Sequence, residues 1–325
     1  MITIKDVAKA AGVSYATVSR ALNNRPDVNE QTRENILRIA QDMGYQPNAI
    51  ARSLVNQRTN IIALIVPDVS LPFFADLSRS ISDAAASAGF TVMVCNTGWN
   101  REKEQEMMKI MQEQRVAGVI VKPTGFYEPG TFETIDVPLV AFWHPSQDKT
   151  NYVEVDHRQG SRLAVTHLID RGFKRIAYLG GTESSPANQL RCETYKLVLS
   201  ENNFEIDPKL ISFSGYSIDS GYERLKSLIN MDNPPDAIFC SNDYIALGCL
   251  QYLREHNITK EQFGLVGYDD LYFASLPMIE LTTVRQPRDV LGAQAFELIH
   301  KEIKIYPHKE LRNILVQPEL IERNT

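Results

Sequence analysis

Arg191, Tyr216, Asn242, Asp243 and Asp269 stand at or just beyond the C-terminal ends of apolar runs in the second half of the chain, and Asp68, Phe73, Phe74, Lys122, Trp143 and His144 stand likewise in the first half. Aromatic faces beside Arg, Asn and Asp forks suit a polyhydroxylated small molecule, because rings cover its apolar C–H patches while the forks grip adjacent hydroxyls. Lys122, if it faces inward, would add affinity for an acidic or phosphorylated ligand. Each residue also has a plainer role open to it. Phe73 and Phe74 begin a helix whose apolar face must pack, Asp243 suits a helix cap, and Arg191 with Asp269 could form an internal ion pair.

The elements that carry these positions alternate. IIALIVP, a helix from Pro72 to Ala88, FTVMVCN, a helix from Glu102, AGVIVK and PLVAFW describe a doubly wound parallel sheet. The pattern restarts after VEVD, with helices near 159–170, 190–200, 220–229 and from 243, and with strands KRIAYLGG, LISFSG, AIFCS and FGLVGYDD. Two α/β lobes follow, and ligands in such sheets bind outside the carboxyl ends of the strands.

The N-terminal stretch TIKDVAKAAGVSYATVSRALNN has a different period. Thr3 and Asp6 have capping-box spacing, Gly12 can stop the first helix, and Ser14 can cap a second that buries Val18, Ala21 and Leu22. This is helix-turn-helix spacing, which an ordinary helical hairpin would share. The second helix, however, opens with Tyr15, Ala16 and Thr17 and carries Arg20, whose guanidinium matches guanine O6 and N7. A third helix, capped by Asn29 and ended by Gly44, completes an all-α headpiece over residues 1–46.

The motifs TIKDVAKAAGVSYATVSRALN and TRENILRIAQDMGYQPNAIARSL resemble the lactose-repressor and galactose-repressor family of bacterial transcription regulators. The similarity in organisation extends through LIVPDVSLPFFADL, GFKRIAYLGG, AIFCSNDYIALG, GLVGYDD and LTTVRQP to QPELIER. The resemblance implies a headpiece joined by a hinge (47–59) to a periplasmic-binding-protein-like body (60–325). It places one lobe at about 60–156 and 286–313 and the other at about 157–285 and 314–325, with chain crossings near Asp156, Arg285 to Pro287 and Gln317. It further implies a repressor whose affinity for a pseudo-palindromic double-stranded DNA operator is controlled by a sugar or sugar derivative. DNA contacts would come from Thr3, Ser14, Tyr15, Ala16, Thr17, Arg20 and Asn23, and in the hinge from Asn48, Ala51 and Leu54, the last as a minor-groove wedge. In the body, Arg191 and Asp269 match the family's ligand-gripping pair, Asn242 a frequent partner, and Phe73, Phe74 and Tyr216 its stacking positions. Where relatives often place a first-lobe acid in the cleft, this chain is expected to offer Trp143 and His144.

Composition is consistent with that reading. The net charge of -6 is uneven: residues 1–60 hold eight Lys/Arg against five Asp/Glu, a balance of +3, and the rest of the chain carries -9. A weakly basic headpiece on an acidic body keeps phosphate attraction local. The four cysteines and six histidines show no metal or disulfide spacing, so no metal or cofactor is expected. No signal-peptide pattern or membrane-length apolar run occurs, which predicts a cytoplasmic protein with no membrane partner. No GxGxxG, P-loop or nucleophile motif supports an enzyme. A small-molecule-binding protein without a DNA role would leave residues 1–56 unexplained. A two-fold operator calls for a homodimer, and the sequence after QPELIER has no heptad tail of the kind that builds tetramers.

Overall fold

The computed structural model describes residues 2–22, 25–45, 58–128, 130–143, 150–307 and 311–325. The expectations for Asn23, Asn48, Ala51, Leu54 and His144 lie outside the described residues. The chain forms two compact units, 1–59 and 60–325.

In the first unit α1 (Ile4–Ala11), α2 (Tyr15–Leu22) and α3 (Glu30–Asp42) pack around Val7, Ala8, Val18, Ala21, Val28, Ile36 and Ala40. Gly12 adopts φ 67°, the left-handed conformation that glycine reaches without a Cβ clash. Ser14 Oγ accepts from Thr17 N at 3.1 Å, so the second helix starts on its own cap as soon as the first ends. Asn29 does the same for α3 through Gln31 N.

The second unit contains two six-stranded sheets. The first has the order β11-β5-β4-β3-β1-β2, built from β1 (Ile61–Val66), β2 (Thr91–Asn96), β3 (Gly118–Val121), β4 (Leu139–Ala141), β5 (Asn151–Val155) and β11 (Asn313–Val316). The second has the order β12-β10-β9-β8-β6-β7, from β6 (Ile176–Gly180), β7 (Ile211–Phe213), β8 (Ala237–Cys240), β9 (Gly264–Asp269), β10 (Thr283–Arg285) and β12 (Glu319–Ile321). Among the described residues every pairing is parallel except β10 with β12. Helices cover both faces, which is why β1 and β9 are buried along nearly their whole length rather than in alternation. On the first sheet, α4 (Pro72–Ser87) and α10 (Arg288–Ile305) bury Leu77, Ile81, Leu291, Ala295 and Ile299 on one face, and α5 (Arg101–Glu113) packs Met108 and Met111 on the other. On the second, α6 (His157–Asp170) and α7 (Pro186–Glu201) oppose α8 (Ile218–Ile229) and α9 (Asp243–Glu255).

Three segments pass between the sheets: Asp156, which caps α6 through Gln159 N at 2.9 Å; Gln286–Pro287; and Gln317–Pro318. Because β11 pairs with β5 through Val316, the first lobe continues past the expected boundary at 313. Helix α7 begins at Pro186 rather than near Leu190, since proline at the first helical position has no amide to leave unbonded.

Helices α8 and α9 cross with their backbones in near contact. A Cβ at Gly248 would lie 1.9 Å from Ile218 O, and one at Gly221 would lie 2.1 Å from Ile245 O. Gly248→Ala should therefore cost at least about 2 kcal/mol in urea denaturation. A loss within experimental error of zero would contradict this packing.

Candidate functional site

In the first unit, α2 presents Tyr15, half exposed, together with exposed Ala16 and Arg20, while Val18 and Ala21 face the core. Arg20 is held 3.3 Å from Asp27, a solvent-exposed pair that costs little to exchange for another acceptor. Thr3 donates from both N and Oγ1 to Asp6 Oδ2 at 2.8 Å, which holds the Asp6 carboxyl below its usual range. Ser14 and Thr17 share a 2.9 Å hydroxyl contact at the first turn of α2.

In the second unit, a cleft runs between the carboxyl ends of the two sheets. Phe73, Phe74, Lys122, Arg191, Tyr216, Asn242 and Asp269 all line it, as the strand-end reading expected. Arg191, on α7, is 6 % exposed; its Nη1 donates to Ser241 O at 2.6 Å, and its guanidinium lies 3.7 Å over the Tyr268 ring. Asp269 ends β9, and its Oδ1 accepts from Gln286 Nε2 at 2.5 Å. The two do not pair with each other, so the internal ion pair is not their role. Phe74 is both core and cleft wall, with Phe73 edge-on at 5.2 Å.

Asp68 and Trp143 do not line the cleft. Asp68 Oδ1 accepts from Ser70 N and Oγ, which commits the carboxylate to the turn before α4. Trp143, at φ 140°, turns into a buried position edge-on to Phe126 at 5.4 Å. The first-lobe acid thought absent is present as Glu154 on β5. Asn242 is the residue that caps α9, accepting from Ile245 N at 2.9 Å, and it lines the cleft as well. Asp243 lies one residue inside the helix, accepting from Leu271 N and Thr283 Oγ1.

Trp99, Glu154, His157, Asn188 and Gln286 also line the cleft and were not singled out in the sequence. The signal was available for three of them. His157 adjoins one expected crossing, Gln286 lies within another, and Trp99 follows the carboxyl end of β2. Its ring stacks on Tyr216 from the opposite lobe, with centroids 4.9 Å apart and planes 17° from parallel.

Burial shapes the electrostatics. Desolvation, with Arg191 and Lys122 nearby, holds His157 well below the usual histidine range. Its Nδ1 receives both Tyr268 Oη at 3.1 Å and Arg191 Nη2 at 3.4 Å, so Nδ1 is the acceptor and Nε2 carries the proton. Burial lowers Lys122 to about 8 against the pull of Glu154, and its Nζ donates to Phe142 O at 3.1 Å. The loop that carries Lys122 is pinned by Glu104, which accepts from Thr124 N at 2.8 Å and Tyr127 Oη at 2.5 Å.

Residues 3–48 match the family of bacterial regulatory proteins of the lacI type, and residues 165–325 match a periplasmic binding protein-like domain. The transcriptional regulator RegA of Clostridium saccharobutylicum is 33% identical over 99% of this chain and 98% of its own length. Catabolite control protein A of Priestia megaterium is 33% identical over the same shares of each. This chain belongs to the LacI family of bacterial transcriptional regulators. The LacI-type fold extends over the whole chain: the lac repressor dimer bound to operator and the anti-inducer ONPF superposes with a TM-score of 0.86 at 27% identity, covering 100% of this chain and 98% of that one. The regulator CelR in complex with cellobiose gives a TM-score of 0.74, also at 27% identity, covering 100% and 99%.

Burial pushes the Asp269 carboxyl from 3.8 up to about 6, against the opposing pull of Arg191, Gln286 and Arg288. A raised acid favours folding in its neutral form, so its contribution is present below the unfolded value and lost as pH rises through about 6. Asp269→Asn, which keeps the acceptor for Gln286, should therefore stabilise the protein by about 1–3 kcal/mol at pH above 7. That gain should shrink as the pH falls toward 5. Urea midpoints showing the same difference at both pH values would contradict the assignment.

Proposed function

We propose that this LacI-family protein is a homodimeric operator-binding repressor whose DNA affinity is set by a neutral, polyhydroxylated small molecule, a sugar or sugar derivative, held between the lobes by Arg191 and Asp269. The observation that carries this reading is the composition of the cleft. The Lys122 and Arg191 cations are offset by Glu154 and Asp269, His157 is neutral, and Phe73, Phe74, Trp99 and Tyr216 supply ring faces. A balanced set of forks beside aromatic faces favours many hydroxyls over a phosphate. The relative whose structure holds cellobiose supports the same ligand class.

Control follows from the distribution of these groups. Arg191, Asn242 and Asp269 belong to one lobe, and Phe73, Phe74, Lys122 and Glu154 to the other. A ligand touching both sets binds one lobe arrangement better than another, which is the condition for shifting an equilibrium. In the headpiece, Tyr15 and Arg20 are the hydrogen-bonding base readers and Ala16 an apolar one, with Thr3, Ser14, Thr17 and Asn23 supporting them on the DNA. Asn48, Ala51 and Leu54 form the hinge contact.

The two-fold partner surface we assign to exposed apolar side chains at a sheet edge and on the second lobe. Met93 and Val94 stand exposed on edge strand β2, and Tyr272 and Met278 are 73 % and 79 % exposed. A parallel-sheet edge carrying such residues needs cover.

A thermal-shift screen of sugars on the full chain, followed by anisotropy with a palindromic duplex, tests the proposal. A sugar should raise the melting temperature and change operator affinity. If none of the sugars does so, the assignment of the effector falls. Arg20→Ala should cost about 1–3 kcal/mol of specific over non-specific DNA binding. Val94→Glu should yield monomers by light scattering and weaken operator binding, and a Val94→Glu dimer of full affinity would refute the proposed interface.

A further inference from the structure

The cleft-facing side of α7 carries Asn188 and Arg191, whose levels are one helical turn, about 5 Å, apart. They are 1 % and 6 % exposed, both line the cleft, and each keeps one buried polar atom with no hydrogen-bond partner: Oδ1 of Asn188 and Nε of Arg191. The orientation of the Asn188 amide is fixed by its partners. Its Nδ2 donates to Thr182 O at 3.2 Å and to Tyr216 Oη at 2.6 Å, and because a carbonyl only accepts, the unused atom must be the oxygen.

Arg191 acts electrostatically on the Asp269 carboxyl and donates to the carbonyl of Ser241, the residue before Asn242. The Asn188 level has a different chemistry. Tyr216 is held there as a fixed platform, bonded through Oη to Asn188 and lying against Gly181, where a Cβ would come within 2.0 Å of the ring. Facing it is Trp99 from the other lobe, on the tight turn between β2 and α5 at φ 60° and edge-on to Phe74 at 6.4 Å. The two rings lie nearly parallel and cover each other's faces. Because one belongs to each lobe, the gap between them is set by the opening of the lobes.

We infer that the cleft has two tiers and that its ligand is a disaccharide: one ring is gripped by Arg191 and Asp269, and the second enters between Trp99 and Tyr216 as the lobes part, placing a hydroxyl on Asn188 Oδ1. This rests on the reading of the cleft as a saccharide site. A sugar ring offers an apolar C–H face to each aromatic plane and a hydroxyl donor to the unused acceptor.

Calorimetry on the full chain with cellobiose, lactose, maltose and sucrose, each beside its constituent monosaccharides, tests it. At least one disaccharide should bind about tenfold or more tightly than either constituent, Trp99→Ala should remove most of that advantage, and Trp99→Phe should retain it. In a Trp143→Phe background, Trp99 is the sole tryptophan. Its fluorescence should respond to the disaccharide and not to the monosaccharides. A monosaccharide that binds as tightly as every disaccharide, or a disaccharide advantage that survives Trp99→Ala, would overturn the two-tier cleft while leaving the saccharide reading intact. If no sugar of either size bound, the saccharide reading would fall and the tiers with it.

Discussion

Asp269 is the residue at which the ligand cleft and the connections between the lobes become one structure. It ends β9 at φ 119°, a backbone conformation that non-glycine residues adopt only where surrounding contacts hold it. Its carboxylate takes a hydrogen bond from Gln286, at one crossing between the lobes, and its carbonyl is taken by Arg288 Nη1. Arg288 opens α10 of the first lobe, also donates to Asp270 O at 3.0 Å, and lies 3.3 Å from Asp76 on α4. Asp270 in turn pairs with Arg285 at 2.7 Å and with Arg323, beyond β12, at 2.6 Å. A group that binds at the Asp269 carboxylate therefore acts on the bond network that holds the Gln286–Pro287 crossing.

That placement reduces the distance over which ligand binding must be felt. The sheets are close-packed on both faces and deform little, so the soft coordinate is the angle between them. The contacts bridging that angle include the Arg288 fork on one side and the Trp99–Tyr216 stack on another. A ligand that bears on these contacts in one lobe arrangement more than in the other biases the lobes.

Much of this was legible in the sequence, for identifiable reasons. Alternating apolar runs and amphipathic helices gave the two sheets, and the strand-end rule found Arg191, Asp269, Asn242, Tyr216, Phe73, Phe74 and Lys122, because topology alone brings such ends to one cleft. It failed where local chemistry intervened. Asp68 is drawn into a turn by Ser70, and Trp143 is turned aside by its backbone angle. The cap of α9 fell on Asn242 rather than Asp243, a one-residue distinction that spacing does not make. Glu154 lies within a strand, and only three-dimensional pairing reveals which way it faces. The short β11 gave no sign of which sheet it would join, since an apolar run of that length fits either edge.

Asp269 is the point where ligand and lobes meet, and its removal tests that role directly. Operator affinity should be measured by fluorescence anisotropy with and without the sugar that most raises the melting temperature, for the unaltered protein and for Asp269→Ala. The variant should bind the operator duplex but no longer change affinity when the sugar is added. A variant that responds to the sugar at the same concentration and with the same amplitude as the unaltered protein would contradict it.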